Sequence, residues 1–223
     1  MTDRIPLFPL GTVLFPGLLL PLHVFEERYR TLVRDLEEEP DTDARRFGVV
    51  AIREGHEVGD GAATALHEVG CVAQVRQADE REDGTIDLVT VGAARFRVDD
   101  VDDSGPYLTG AVTLLDEPEG DGAEVLADAV RQAFTAYRQA LLDVQGRTAP
   151  EVGGLPEDPV TLSYLVAAAT VLFVPDKQRL LAEPSAAARL GRELEVLRRE
   201  VALLRRLPSV PAVELLAREV TSS

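Results

Sequence analysis

The scarce reactive side chains of this 223-residue sequence are three histidines, one cysteine and one lysine. Cys71 follows His67 by four residues, and a thiol beside an imidazole is the pairing used by thiol nucleophiles. The surrounding VGCVAQV alternates, however. It sets Val69, Cys71, Ala73 and Val75 on one face of a strand, so a buried structural thiol is the plainer reading. His56 and His67 with a carboxylate are a conceivable metal site. Neither belongs to an HExxH pattern and no second cysteine stands near Cys71, so loop contacts with solvent are the default for both. Lys177 is the amine that a serine–lysine mechanism would need, with Ser163 or Ser185 as nucleophile. Neither serine has a nucleophile's context, and Lys177 reads as a surface residue early in a helix. There is no GxxxxGK[ST] loop and no GxSxG elbow. The reading predicts no catalytic residue, no metal ligand and no cofactor.

The elements around these residues change character near Glu119. Before it, short apolar runs alternate with turn signals, and after it helical spacing dominates. FGVVAI (47–52), VGCVAQV (69–75), TIDLVTV (85–91), AARFRVDDV and YLTGAVTLL read as antiparallel strands, with Asp83-Gly84 as a hairpin turn. Gly92 opens the passage AARFRVDDV, in which Ala94, Phe96 and Val98 point inward and Arg95, Arg97 and Asp99 outward. His23–Leu36 reads as a short helix with Val24, Phe25, Leu32 and Leu36 on its apolar face. The predicted class is α+β: a curled antiparallel β pseudo-barrel over residues 1–118, a helical bundle over 119–207 and a tail over 208–223.

In the second region, helices are expected over Ala123–Leu142 and over a segment carrying Leu162 to Phe173 that Pro175 stops. Asp176 caps a short helix and Ser185 a long one. On the last helix, Leu190, Leu194, Leu197, Val201 and Leu204 form a stripe that needs a facing partner, either the preceding helix or another subunit. Arg189, Arg192, Arg198, Arg199, Arg205 and Arg206 are assigned to its outward side, opposed by Glu193, Glu195 and Glu200. Arg192, Arg198, Arg199, Arg205 and Arg206 make a basic surface that suits an acidic partner.

The net charge is −16, which repels nucleic acid. Pro9, Gly11, Pro16, Gly17 and Pro21 break the opening apolar run, so it is neither a membrane span nor, lacking a basic start, a signal peptide. A single cysteine excludes an internal disulfide framework and fits the cytoplasm.

The stretch LFPLGTVLFPGLLLPLHVFEERYRTLV, then FGVVAI, then HEVGCVAQVRQADEREDGTIDLVTVGAARFRV, and finally FVPDKQRLLAEPSAAARLGRELEVLRREVALL, follow one another in the order of a known family. Together they resemble the amino-terminal substrate-binding domain of Lon proteases over about residues 4–207. The resemblance implies a PUA-like β-domain followed by a helical bundle. In whole Lon proteases this part helps to recognise protein substrates and supports hexamer assembly, while separate ATPase and serine–lysine peptidase domains do the catalysis. The chain ends where those domains would begin, so no enzyme activity is expected.

The function implied is binding of unfolded proteins or peptides, as a client-recognition module or adaptor. The candidate contacts are Phe15, Pro16, Leu18 and Leu20 of the opening loop and Tyr29 nearby, for most of which core packing is the competing role, with Val72 and Gln74 bordering a groove if their side of the sheet is exposed. A structural subunit that uses the last helix in a stable complex is the alternative. An enzyme built on Cys71, His67 and a carboxylate is the more remote one.

Overall fold

A computed structural model describes residues 3–55, 63–146 and 154–206. The chain divides into two compact units: residues 1–118 with 164–184, and residues 119–163 with 185–223. The change of periodicity near Glu119 marks the first crossing. The second region is not one continuous bundle, because the segment 164–184 returns to the β unit.

In the first unit β1 (Asp3–Leu10), β3 (Arg46–Gly55), β5 (Val69–Glu80), β6 (Ile86–Asp102) and β7 (Thr109–Leu114) form a ring. Its order is β1-β7-β6-β5-β3, and β3 returns to β1. The closing pair is parallel, with Leu7 opposite Gly48 and Leu10 opposite Ala51. The other pairs of the ring are antiparallel, so the antiparallel barrel carries one parallel seam. β2 (Leu19–Val24) pairs with the first half of β6, and β4 (Ala63–Leu66) with β3.

The ring closes tightly because glycines leave room for one aromatic ring. A Cβ on Gly48 would lie 2.6 Å from Phe96 Cζ, and one on Gly70 2.4 Å from the same atom. Phe96, fully buried, packs with Ile5, Leu7, Val50, Val72 and Val112. Phe8, Val49, Cys71 and Ala73 use the opposite faces of β1, β3 and β5. Helix α1 (Glu27–Glu38) covers that second cluster with Tyr29, Leu32, Val33 and Leu36.

β6 is one continuous strand, not two separated at Gly92, and this glycine anchors the opening loop. Gly17, at φ 78°, donates its N–H to Gly92 O at 2.8 Å, while Gly92 N donates to Leu18 O at 2.9 Å. This is a bulge with its extra residue in the left-handed region, where glycine is at little cost. The chain then runs as β2 through His23 and Val24, which correct the expected helix start. The helix begins at Glu27, Val24 is buried at the strand's end, and Phe25 is exposed.

Arg95 also differs from expectation. It is buried, with Nε on the Glu117 carboxylate, Nη1 on the carbonyls of Leu181 and Glu183, and Nη2 on that of Asp116 at 3.0 Å. Helix α3 (Pro159–Ala169) ends before Pro175, which instead sits in the first turn of α4 (Val174–Ala182). Phe173 holds the cap position that Asp176 was assigned. α4 packs on β5 and β3, and Gln178 donates to Val69 O at 2.7 Å.

In the second unit α5 (Ala186–Leu204) packs along α2 (Ala123–Gln145), not along the helix that precedes it in sequence. Ser185 accepts from Ala188 N at 3.1 Å and caps α5 as expected. Arg189 and Glu193 lie on the buried face with Ala186, Leu190 and Leu197, which corrects their outward assignment. Arg189 donates to Ser163 Oγ at 2.8 Å.

Candidate functional site

Of the residues weighed from sequence for chemistry, Cys71, Ser163, Lys177 and Ser185 are held in structural contacts. Cys71 lies in the core, and its Sγ is 3.5 Å from Val72 O. Burial pushes its thiol far above the ordinary range, and a thiol that stays protonated is a poor nucleophile. Burial first, and Arg53 second, hold the His67 imidazole below its usual range. Ser163 donates to Val160 O at 2.7 Å. Lys177 is half-buried rather than on the surface, and its ammonium donates to Ala168 O at 3.0 Å. Burial lowers its pKa. His56 lies outside the described residues. Among the described residues no group of three or more His, Cys, Asp or Glu side chains is placed to hold a metal ion, and no helix is long and apolar enough to cross a membrane.

What the first unit does offer is an apolar pocket of about 160 Å³ beside β2. Phe8, Pro9 and Leu10 come to it from the end of β1, Leu22, His23 and Val24 from β2, and Phe25, Glu26 and Tyr29 from the entry to α1. Two of its lining rings, Phe8 and Tyr29, stack at 3.9 Å, and the Arg28 guanidinium lies 4.5 Å from the Tyr29 ring centre. Arg28 is also paired with Glu26 at 3.0 Å.

At the rim, His23 Nδ1 is 2.9 Å from Asp87 Oδ1. Hydrogen bonds from His23 and then Arg81 hold the Asp87 carboxyl below the usual carboxylate range. Phe25 is 51% exposed at this mouth, and Leu19, at the other end of β2, is 68% exposed.

The candidate contacts are divided by this geometry. Phe15 is 1% exposed, with its ring 6.2 Å from that of Tyr164, so it seals the core. Val72 is buried in the Phe96 cluster. Gln74 spends its amide on the carbonyls of Thr42 and Arg45. Pro16, Leu18 and Leu20 are half-buried. Tyr29 is buried yet borders the pocket. Leu19, His23 and Phe25 are the exposed neighbours that sequence reasoning missed. Period 2 through LLPLHV, counted from buried Val24, was the signal for the first two: it turns Leu20 and Leu22 inward and Leu19, Pro21 and His23 outward.

On α5, Leu190 and Leu197 are fully buried, and Leu194, Val201 and Leu204 are half-buried. Arg192, Arg198, Arg199, Arg205 and Arg206 are exposed, and Arg199 pairs with Glu200 at 3.3 Å.

Comparison with known proteins gives the family. A family model described as the ATP-dependent protease La (LON) substrate-binding domain matches residues 4–199. The Lon protease of Anaeromyxobacter dehalogenans is 31% identical over 204 residues, which is 90% of this chain and 24% of that protein. The Lon protease of Brucella suis is 29% identical over 197 residues, 86% of this chain and 23% of that protein. The chain thus spans about a quarter of the length of the curated relatives it matches.

Among solved structures, a Lon N-terminal domain protein from Xanthomonas campestris superposes with a TM-score of 0.58 at 25% identity, covering 92% of this chain and 99% of that one. The N-terminal domain of a Mycobacterium avium complex Lon protease gives 0.62 at 17% identity, covering 90% and 98%, and shows the shared fold. With an α+β architecture, a matching structural neighbour and a family model over most of its length, the chain belongs to the LON substrate-binding domain family.

Proposed function

We propose that this chain binds extended apolar segments of protein substrates in the pocket beside β2, as a non-catalytic client-recognition module. The carrying observation is the pocket itself, with exposed Phe25 at its mouth and exposed Leu19 along the same strand. Its volume is close to that of an engineered apolar cavity of about 150 Å³ that takes up benzene, so one large apolar side chain is the natural occupant. Large exposed apolar groups beside a concave apolar site favour protein recognition over surface solubility. Membership of a substrate-binding family supports the same reading. An adaptor role that hands clients to an ATP-driven protease, in the cytoplasm, is its extension. The closed ring of strands supports the PUA-like shape that the resemblance implies.

A fluorescent peptide with one phenylalanine in a polar background tests this. Phe25→Ser and Leu19→Ser alter exposed side chains and leave the core intact. Binding should weaken by about tenfold or more in Phe25→Ser, the cost of about one lost apolar contact. Unchanged affinity in both variants would refute the site.

A further inference from the structure

We infer that Pro21 is a specificity-determining residue: it blocks backbone pairing along β2, so the site selects clients by a side chain and not by strand addition. This rests on the proposed site beside β2. β2 pairs with β6 on one side, and among the described residues no strand pairs with its other edge. The bulge at Gly17 and Leu18 fixes which groups face which way. Leu18 O accepts from Gly92 N, so the next hydrogen-bonded pairs fall at Leu20 with Thr90 and Leu22 with Leu88.

The backbone groups of Leu19, Pro21 and His23 therefore face the free edge. Proline has no N–H, and here it stands in the middle of the three. The remaining outward donors, Leu19 and His23, are four residues and about 14 Å apart. An added antiparallel strand needs a donor at every second residue, about half that spacing. Leu19, Pro21 and His23 also have exposed side chains, so without the proline this edge would be an open template for other strands, including a second copy of itself.

Two measurements test the inference. The phenylalanine peptide is compared with versions N-methylated at alternate residues in each of the two registers. Against the wild-type protein, both should bind within about twofold of the parent. A loss beyond about twofold in either register means that backbone pairing operates despite Pro21, and overturns the inference. The second measurement is sedimentation of Pro21→Val, which restores the missing donor. The variant should form larger, concentration-dependent species that the wild type does not, and a mass identical to wild type overturns the inference. If the peptide fails to bind, or binds Phe25→Ser and Leu19→Ser as it binds wild type, the proposed function fails by itself, and sedimentation alone then decides the role of Pro21.

Discussion

Gly92→Ala is the sharpest test of how the opening loop is held. A Cβ at this position would lie 2.2 Å from the Phe15 carbonyl oxygen, 2.9 Å from its carbon and 3.2 Å from Cys71 Sγ. The first two are backbone atoms and cannot rotate away. The loop must retreat by about 1.2 Å to reach ordinary contact at 3.4 Å. That retreat pulls apart the bonds from Gly17 N to Gly92 O and from Gly92 N to Leu18 O, at 2.8 and 2.9 Å. Each contributes about 1 kcal/mol. Phe15 rides on the same loop at 1% exposure, and full burial of such a side chain contributes about 1.5–3 kcal/mol. A loss of about 3–5 kcal/mol is expected, at the upper end for single substitutions. Urea unfolding followed by circular dichroism measures it. Gly154→Ala is the control, because a Cβ there meets nothing within 4 Å, and it should stay within about 0.5 kcal/mol of wild type. A Gly92→Ala midpoint indistinguishable from that control would refute the bulge as the loop's anchor.

Three further outcomes follow from buried charge and capping. Both oxygens of the Glu193 carboxyl are buried with no hydrogen-bond partner among the described residues, and burial raises its pKa well above the usual range, against the opposing pull of Arg189. Its stabilising contribution is therefore full below about pH 4.3, the unfolded carboxyl's range, and falls as pH rises through the folded value. Glu193→Gln should flatten that decline in urea midpoints taken from pH 5 to 8, and a pH profile unchanged from wild type would count against it. Arg95→Met removes the guanidinium that bonds the Glu117 carboxylate and three carbonyls and should cost about 3–5 kcal/mol by urea unfolding. Arg95→Lys should rescue little, because a single ammonium cannot reproduce the guanidinium fork. Ser185→Ala removes the cap on α5 and should lower stability by about 1 kcal/mol, again read from the urea midpoint.

The strands and their turns were legible because their signals are local. Alternation marks β5, and Asp83-Gly84 marks the hairpin, where Gly84 has φ 77° and Thr85 N donates to Asp83 Oδ1 at 3.0 Å. Arg95 was illegible for the complementary reason. In alternation with Phe96 it reads as outward, and its four acceptors lie 21 to 88 residues away in sequence. The face of α5 failed more subtly. Ala186, Leu190, Glu193 and Leu197 also step by four, three and four, and this is the stripe that is buried, although it includes a carboxyl side chain. Counting only leucine and valine moved the stripe to Leu194. The pairing with α2 was likewise invisible, since spacing on one helix does not name the helix that faces it.

The opening segment shows how the site itself was half legible. Composition marked PLFPLGTVLFPGLLLPLHVF as apolar and turn-rich, and left open which residues seal the core and which face a partner. The deciding atom is missing from residue 92. Only a glycine there lets the Phe15 carbonyl approach the strand, and that approach buries Leu14 and Phe15. The same bulge then sets the parity of every residue that follows it: Leu20, Leu22 and Val24 turn to β6 and the core, and Leu19, Pro21 and His23 to the free edge. Phe25 follows at the mouth of the pocket. A substitution at Gly92 should therefore disturb client binding as well as stability, because it resets the register that presents β2 and its pocket. Loss of stability with peptide affinity intact would separate the two, and would show that the pocket is positioned from α1 and β1 instead.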